Sequence, residues 1–505
     1  MLKRLLLASV LFSTAFAVAS SSEAREWTIV GPRALGMGGA GVAVANDATA
    51  SYWNPAAFGF FSDSTGGEYG RRDWSAVLDA GFGAQVHEDL GEQVDIISQI
   101  DFDQFSGGTV DIAEVPDFLE MVSQLKTFDD NPDRALTITV NGGLRTQVGR
   151  FGLAGYAFTD ISARGDLDLV NIGPTGDGNP TFTIAEITDP ATYGCGGCAS
   201  TGYFSAAQRT ELETFLGGLG WTTGAGSQAE DLINIVENGI ASLPPGDVPA
   251  SSDVVTQVEN FATVADAAAG TGGTLDQNES KLLFRGIAVA EVPLTYGRKI
   301  TDDFAVGGNV KFMKARVYNT EVALFNTDFG DALNTATDSY AESNNFGIDL
   351  GALYRFGDKL RFGIVARNVN SPSFDMLPLT PGGEDSIKEE PQVRAGVAYR
   401  PFGSLILAAD IDLTENETTI SGTSTSRIVS AGVEGNLFNF LQLRGGIYKN
   451  IANDDIGPVY TAGFGINLWA VNIDFGAAMS SGSTTVDGND IPKEVRAELA
   501  LSALF

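Results

Sequence analysis

Histidine and cysteine are nearly absent from this chain: its 505 residues hold one His and two Cys. A lone His87 leaves no room for a His-rich metal site and little for His-based acid–base chemistry. No Ser-His-Asp or Cys-His set is available beyond what His87 could serve, so no enzyme is expected and no cofactor is implied. Basic residues are scarce too, 31 Lys and Arg against 64 Asp and Glu for a net charge of −33. That excludes a nucleic-acid binder working by phosphate neutralisation. Beyond an N-terminal stretch, no run reaches the roughly 18 to 20 apolar residues of a membrane helix, so a membrane location would have to be built from strands. What remains is plentiful: 61 Gly, 31 Phe and 43 % apolar residues. This is too apolar for disorder and, read as a soluble protein, would make about three domains. It is also a common balance for an outer-membrane barrel.

The N-terminal stretch reads as an export signal over residues 1–24. Lys3 and Arg4 form a positive n-region, Leu5 to Val18 an apolar h-region, and small residues allow cleavage after Ala19 or Ala24. No cysteine follows the h-region, which excludes a lipoprotein anchor.

The second half of the chain alternates with period two, in segments of about the ten residues that a tilted strand needs to cross a bilayer. Val393, Ala395, Val397 and Tyr399 alternate with Arg394, Gly396, Ala398 and Arg400. Phe346, Ile348, Leu350, Ala352 and Tyr354 likewise oppose Gly347, Asp349, Gly351, Leu353 and Arg355. Alternation alone would also suit a soluble sandwich with one wet face. The connections separate the two. Strands are predicted at 67–83, 134–148, 150–166, 282–299, 303–326, 342–355, 359–369, 391–400, 404–415, 425–437, 440–450, 457–468, 470–480 and 493–505. Every second connection is tight, as at Gly149-Arg150, Thr301-Asp302, Phe356-Gly357-Asp358, Pro401-Phe402-Gly403, Phe438-Asn439 and Trp469. The others are longer, and those near 84–133 and 167–281 are very long. Short turns on one side and long loops on the other are the pattern of an outer-membrane barrel with both termini on the periplasmic side. The expected fold is therefore all-β, an antiparallel transmembrane β-barrel of about 14 strands.

Aromatics add a partly independent signal. Phe151, Tyr296, Phe304, Tyr354, Phe356, Phe362, Tyr399, Phe402, Phe438, Phe440, Trp469 and Phe505 lie within a few residues of the short turns. There they would form a girdle against outer-membrane lipid, core aromatics at strand ends being the alternative. The terminal Phe505, closing an alternating strand, resembles the signal read by the barrel-assembly machinery. The polar face implies a lumen in which Arg361, Arg367, Arg394, Arg400 and Arg444 meet Asp349, Asp410, Asp412, Asp474 and Glu498. This balance of signs favours a cross-linked interior over a charge-selective pore.

Ahead of the strands, Gly36, Gly38 and Gly41 formally satisfy G-x-G-x-x-G. Pro32 and Arg33 interrupt any preceding strand and Asn54-Pro55 replaces a long helix, so a dinucleotide site is rejected. Arg33 to Gly41, Asn46-Asp47-Ala48 and Asn54-Pro55-Ala56 instead resemble the N-terminal signature of the FadL-like outer-membrane proteins, transporters of hydrophobic compounds. Closest is the branch known as conjugal transfer protein TraF, a name shared with an unrelated thioredoxin-like protein. The resemblance implies a fourteen-stranded barrel plugged by an N-terminal hatch, here 25–66, to which Gly36, Gly38, Gly39, Gly41, Asn54, Pro55 and Ala56 would belong. Small residues let such a plug pack in a narrow lumen, and Asn54-Pro55 fixes a turn. It also implies passage of hydrophobic small molecules through the wall at a kinked third strand. That strand carries Gly152 and Gly155, with Tyr156 and Phe158 opposing Leu153 and Ala157, and the fourth carries Pro293. A lateral opening and an ordinary bulge both fit these residues.

The long connections are insertions. Leu90, Val94, Ile97 and Ile100, then Phe118, Val122 and Leu125, are spaced for amphipathic helices capping the mouth. The 167–281 insertion predicts helices near 204–218, 228–242 and 252–268, and Arg209 is almost its only basic residue. Its acidity suits a solvated lobe better than a divalent-cation site. Cys195-Gly-Gly-Cys198 lacks a thioredoxin-like setting and two further zinc ligands, so a local disulfide is expected. Two functions compete: passive transport of a hydrophobic small molecule, and a structural or partner-binding role in conjugation or surface assembly.

Overall fold

The computed structural model describes residues 25–61, 73–93, 105, 109–174, 181–323, 338–420, 424–438, 440–469, 471–486 and 488–504. The expected leader at 1–24, the end of the expected hatch, Val94 to Ile100 and Phe505 lie outside them. Alternating side chains and tight turns produce fourteen antiparallel strands: β1 (Trp74–Val86), β2 (Ala135–Val148), β3 (Phe151–Asp166), β4 (Lys281–Lys299), β5 (Phe304–Ala323), β6 (Tyr340–Phe356), β7 (Leu360–Arg367), β8 (Gln392–Phe402), β9 (Leu405–Asp412), β10 (Ile428–Leu437), β11 (Leu441–Asn450), β12 (Val459–Leu468), β13 (Val471–Ser480) and β14 (Glu494–Leu504). Each pairs with its neighbours in sequence and β14 returns to β1, Ser75 facing Leu504, so the barrel is closed and has no free edge.

Several boundaries shift by a few residues from the sequence reading, and two of the shifts have a visible cause. β1 begins at Trp74 and runs on to Val86, because alternation continues through Ala84, Gln85 and Val86 opposite β2. β10 begins at Ile428, because Thr425-Ser426 pairs instead with Asn416-Glu417 in a separate small hairpin.

The pleat sorts side chains as the alternation requires. Leu499 and Leu501 are 53 % and 47 % exposed on the outer face, while Ala500 between them is buried. Phe151, Tyr296, Phe356, Phe402, Phe438 and Trp469 all stand exposed around the short-turn end, the position the girdle requires. Among the described residues no helix is long and apolar enough to cross a membrane. The wall is uneven. β2 to β6 have 14 to 20 residues, whereas β7 to β14 have 8 to 11.

Above the taller side sits a helical lobe of α1 (Val115–Asp129), α2 (Ala206–Gly218), α3 (Gln228–Ser242) and α4 (Ser251–Ala268). Ser205 caps α2 and Ser227 caps α3, each accepting from the backbone N–H three residues on. The two insertions build one core, with Phe118 of α1 edge-on to Phe261 of α4 at 5.5 Å.

Candidate functional site

Residues 25–61 fill the lumen. Trp27, Leu35, Met37, Trp53, Phe58 and Phe60 are all 2 % exposed or less. The fit is set by backbone meeting backbone. A Cβ on Gly38, which has φ +70°, would lie 2.5 Å from the Ile447 carbonyl and 2.7 Å from that of Ala431. Gly39 has φ +84° against Ile29, a Cβ on Gly36 would lie 3.1 Å from the Cα of Gly463, and a side chain on Gly41 would enter the Trp53 indole. Asn54 donates to the Ala352 carbonyl at 3.1 Å and accepts from Ala56 N–H at 3.1 Å, and Pro55 opens the helical turn Pro55–Phe60. The sequence reading missed the receiving half of this contact. Gly432 and Gly446 face Met37, Gly476 faces Pro32, and Gly297 and Gly307 face Pro55. These glycines interrupt otherwise bulky lumen-facing rows, and that interruption was the available signal.

Ion pairs fasten what the glycines admit. Arg33 grips Glu434 with two bonds of 2.8 and 2.7 Å and donates to Asn46 at 2.7 Å. Arg444 bridges Glu434 at 2.7 Å to Asp474 at 2.6 Å. Asp410 accepts from the Gly41 and Val42 N–H groups at 2.8 and 2.9 Å. Higher up, Glu291 meets Lys311 at 3.2 Å and Arg367 and Arg25 at 3.3 Å each. Arg394 pairs with Asp412 at 2.5 Å. Buried pairs of this kind cost much to break one-sidedly, so they pin the inner segment to the wall. Arg400 departs from the cross-lumen pattern and donates to the Gly403 carbonyl at 2.7 Å in its own turn.

The structure brings the five sequence-predicted path residues together at one seam. β3 and β4 pair through Leu153↔Leu294 and resume at Tyr156↔Glu291, leaving Ala154-Gly155 opposite Val292-Pro293 without register partners. Pro293 keeps its register with Lys311 of β5, so the interruption is one-sided. Leu153, Val292 and Leu294 point outward and are exposed, and a Cβ on Gly155 would meet nothing within 4 Å. Gly152 faces inward, where its Cβ would lie 2.8 Å from Phe58. Tyr156 and Phe158 also face inward, stacked at 5.7 Å. Tyr52 of the inner segment lies 5.8 Å from each, and Ser51 Oγ is 2.5 Å from the Tyr156 hydroxyl. Tyr52 and Ser51 were not singled out in the sequence. Their position behind the seam depends on how residues 25–61 thread the lumen, which periodicity does not report.

On the loop side the lumen is covered. The hairpin of Ser373–Asp375 and Ser386–Lys388 inserts Phe374 and Met376 into the core, and Thr419 bonds Asp160 at 3.0 Å and Ser162 at 2.6 Å. In the lobe Cys195 and Cys198 form the expected disulfide. Arg209 pairs with Glu237 at 3.0 Å. Burial alone would raise the Glu237 carboxyl, but the Ser200 hydroxyl, the Phe204 and Thr201 N–H groups and Arg209 hold it below its ordinary value. At the neck of the lobe, burial would likewise raise Asp168, and the Glu279 N–H and Asn171 outweigh it and lower it. Beneath the inner segment, at the short-turn end, lies a chamber of about 490 Å³.

The sequence profile described as "F plasmid transfer operon, TraF, protein" matches residues 52–412. No curated protein sequence matches. Among solved structures the chain is similar to the Ralstonia pickettii toluene transporter TbuX, with 12 % identity over 94 % of this chain and 98 % of that one and a TM-score of 0.44. It is similar to the P. putida toluene transporter TodX at 10 % identity over 94 % and 98 %, TM-score 0.42. A Pseudomonas aeruginosa FadL homologue stands at 11 % identity over 95 % and 99 %, TM-score 0.42. The profile spans well over half of the chain and includes Asn54-Pro55-Ala56 and the strands that hold them: the chain belongs to the family of the F plasmid transfer operon protein TraF.

Proposed function

We propose that this protein is an outer-membrane barrel that passes hydrophobic small molecules through its wall while the plug stays in place. The observation that carries this reading is the one-sided interruption of the β3–β4 ladder, flanked outside by Leu153 and Leu294 and backed inside by Tyr52, Tyr156 and Phe158. An apolar solute leaving the aromatic cluster there would enter hydrocarbon without crossing water. A closed ring with an apolar outer face and an aromatic girdle supports the location. An alternating last strand, β14, supports handling by the barrel-assembly machinery.

The test is uptake of a monoaromatic hydrocarbon, the cargo named for the structural neighbours, into cells that express the chain. Pro293→Ala supplies the missing donor, and a disulfide between Gly155→Cys and Val292→Cys closes the seam outright. Uptake should fall several-fold in both and return when the disulfide is reduced. Uptake that ignores both changes would remove the lateral route.

A second reading is favoured by the filled lumen beneath Phe374 and Met376. There the barrel is a support, nothing passes, and the lobe docks another protein in conjugation or surface assembly. Wild-type uptake no faster than in cells lacking the chain would select it.

A further inference from the structure

The outer face of the barrel is almost free of charge toward its loop end. In that half of the outward rows, among the described residues, charged side chains stand at Lys314 and Arg316 of β5, Glu342 of β6 and Lys449 of β11. Lys449 is matched one to one by Asp454 at 2.7 Å. On β5 and β6 the count is two to one: Lys314 Nζ lies 2.7 Å and Arg316 Nε 3.0 Å from the two oxygens of the same Glu342 carboxylate. One positive charge is left over. Both cationic side chains are about half exposed, at 47 % and 49 %, and the Nη groups of Arg316 bond to no described residue.

Their height is set by the strand. The outward row of β5 stays apolar from Phe304 to Phe312 and turns cationic at Lys314 and Arg316, ten and twelve residues above Phe304. At about 3.3 Å per residue and a 45° tilt that is roughly 23 to 28 Å, the upper edge of an apolar band about 25 Å tall. β6 changes at the same level: Phe346 faces Phe312, Asn344 faces Lys314 and Glu342 faces Arg316. Just above, the Arg316 guanidinium lies 4.6 Å over the Tyr340 ring, and Tyr318 lies 5.8 Å from Tyr340. On the other side β4 opposes Lys314 and Arg316 with Ala290 and Ala288, so nothing bulky shields the cations there.

Position and charge together select a ligand. At the upper edge of the apolar band the neighbours are lipid headgroups, and a surplus cation there favours an anionic one. A guanidinium edge beside an ammonium suits phosphate, whose oxygens accept from both at once. Free phosphate would meet an open, half-exposed face with no enclosing wall. Phosphate carried on acyl chains is held a second time, because the chains lie on Phe312 and Phe346 directly below. The loop end faces the exterior, where phosphate is borne on sugar headgroups, and the Tyr318 and Tyr340 hydroxyls offer that headgroup donors and acceptors. We propose that Lys314 and Arg316 bind the phosphate of an outer-leaflet glycolipid whose acyl chains run down over Phe312 and Phe346.

The proposal rests on the outer-membrane location argued above and not on transport. The full chain, purified in a polyoxyethylene detergent, is titrated with diphosphoryl lipid A and read by native mass spectrometry. Retention of one lipid per chain is expected, and the same lipid stripped of both phosphates should be lost. Lys314→Gln with Arg316→Gln should weaken retention about tenfold, the effect of losing charge-assisted bonds. Lys449→Gln should leave it unchanged. Glu342→Gln, which releases both cations from their shared carboxylate, should tighten it, a gain that a merely damaged surface would not give. Equal retention of the dephosphorylated lipid, an equal loss in Lys449→Gln, weaker binding in Glu342→Gln, or complete displacement by inorganic phosphate would overturn the proposal. Refolding into phosphatidylcholine vesicles, read as the heat-sensitive gel shift of a closed barrel, tests the location separately. A chain that inserts but shows no preference for lipid A loses this site alone; one that fails to insert loses the membrane location as well.

Discussion

At the scale of single residues, the wall glycines are where a methyl group decides the outcome. Gly446→Ala would drive its Cβ into the Gly38 backbone, whereas Gly155→Ala meets open space. The first should cost about 1–3 kcal/mol by overpacking and loosen the plug; the second should leave it seated. Single-channel conductance in planar bilayers separates them, rising for Gly446→Ala and staying at the wild-type level for Gly155→Ala. Glu237 is the corresponding residue of the lobe, fully buried and held by Ser200, Thr201, Phe204 and Arg209. Glu237→Ala leaves Arg209 and those donors unmatched and should destabilise the lobe by about 3 kcal/mol, read as faster hydrogen exchange in α2 and α3. Its carboxyl is lowered from an ordinary 4.5 in the fold. The stability it supplies is therefore present above that value and lost as pH falls through the folded pKa. The same exchange experiment, run downward from pH 6, should show lobe protection fading below about pH 4.5 while the barrel strands hold.

At the scale of elements, all fourteen strands and the four helices of the lobe were legible, because each carries its own period and its own turn or cap. Ser205 before α2 and Ser227 before α3 are examples of stops that sequence alone announces. Partnership between elements was less legible. α1 comes from the first insertion and α2 to α4 from the second, yet Phe118, Leu119 and Val122 pack among Val258, Phe261 and Ala265. Two segments separated by a pair of strands give no local sign that they share a core. The consequence is testable: replacing residues 168–279 by a short turn should leave the barrel folded but strip α1 of its cover. Binding of a dye specific for exposed apolar surface should rise sharply in the shortened chain.

At the scale of the whole molecule, every strand bonds to its own neighbours, so the ring does not need its contents to close. Removing residues 25–61 should leave a stable barrel with a large, steady ion conductance, where the intact chain conducts little. The candidate site was half legible at this scale. Gly152, Gly155, Tyr156, Phe158 and Pro293 could be named in advance, but Tyr52 behind them depends on threading. The uneven wall carries one more implication. β4 has 19 residues and β9 has 8, so at about 3.3 Å per residue and a 45° tilt one rim stands roughly 25 Å above the other. A solute drifting in from outside meets a parapet on one flank and a low sill on the other. The seam lies near the foot of that high flank, a few residues from the Gly149-Arg150 turn, so anything leaving by it emerges far below the parapet.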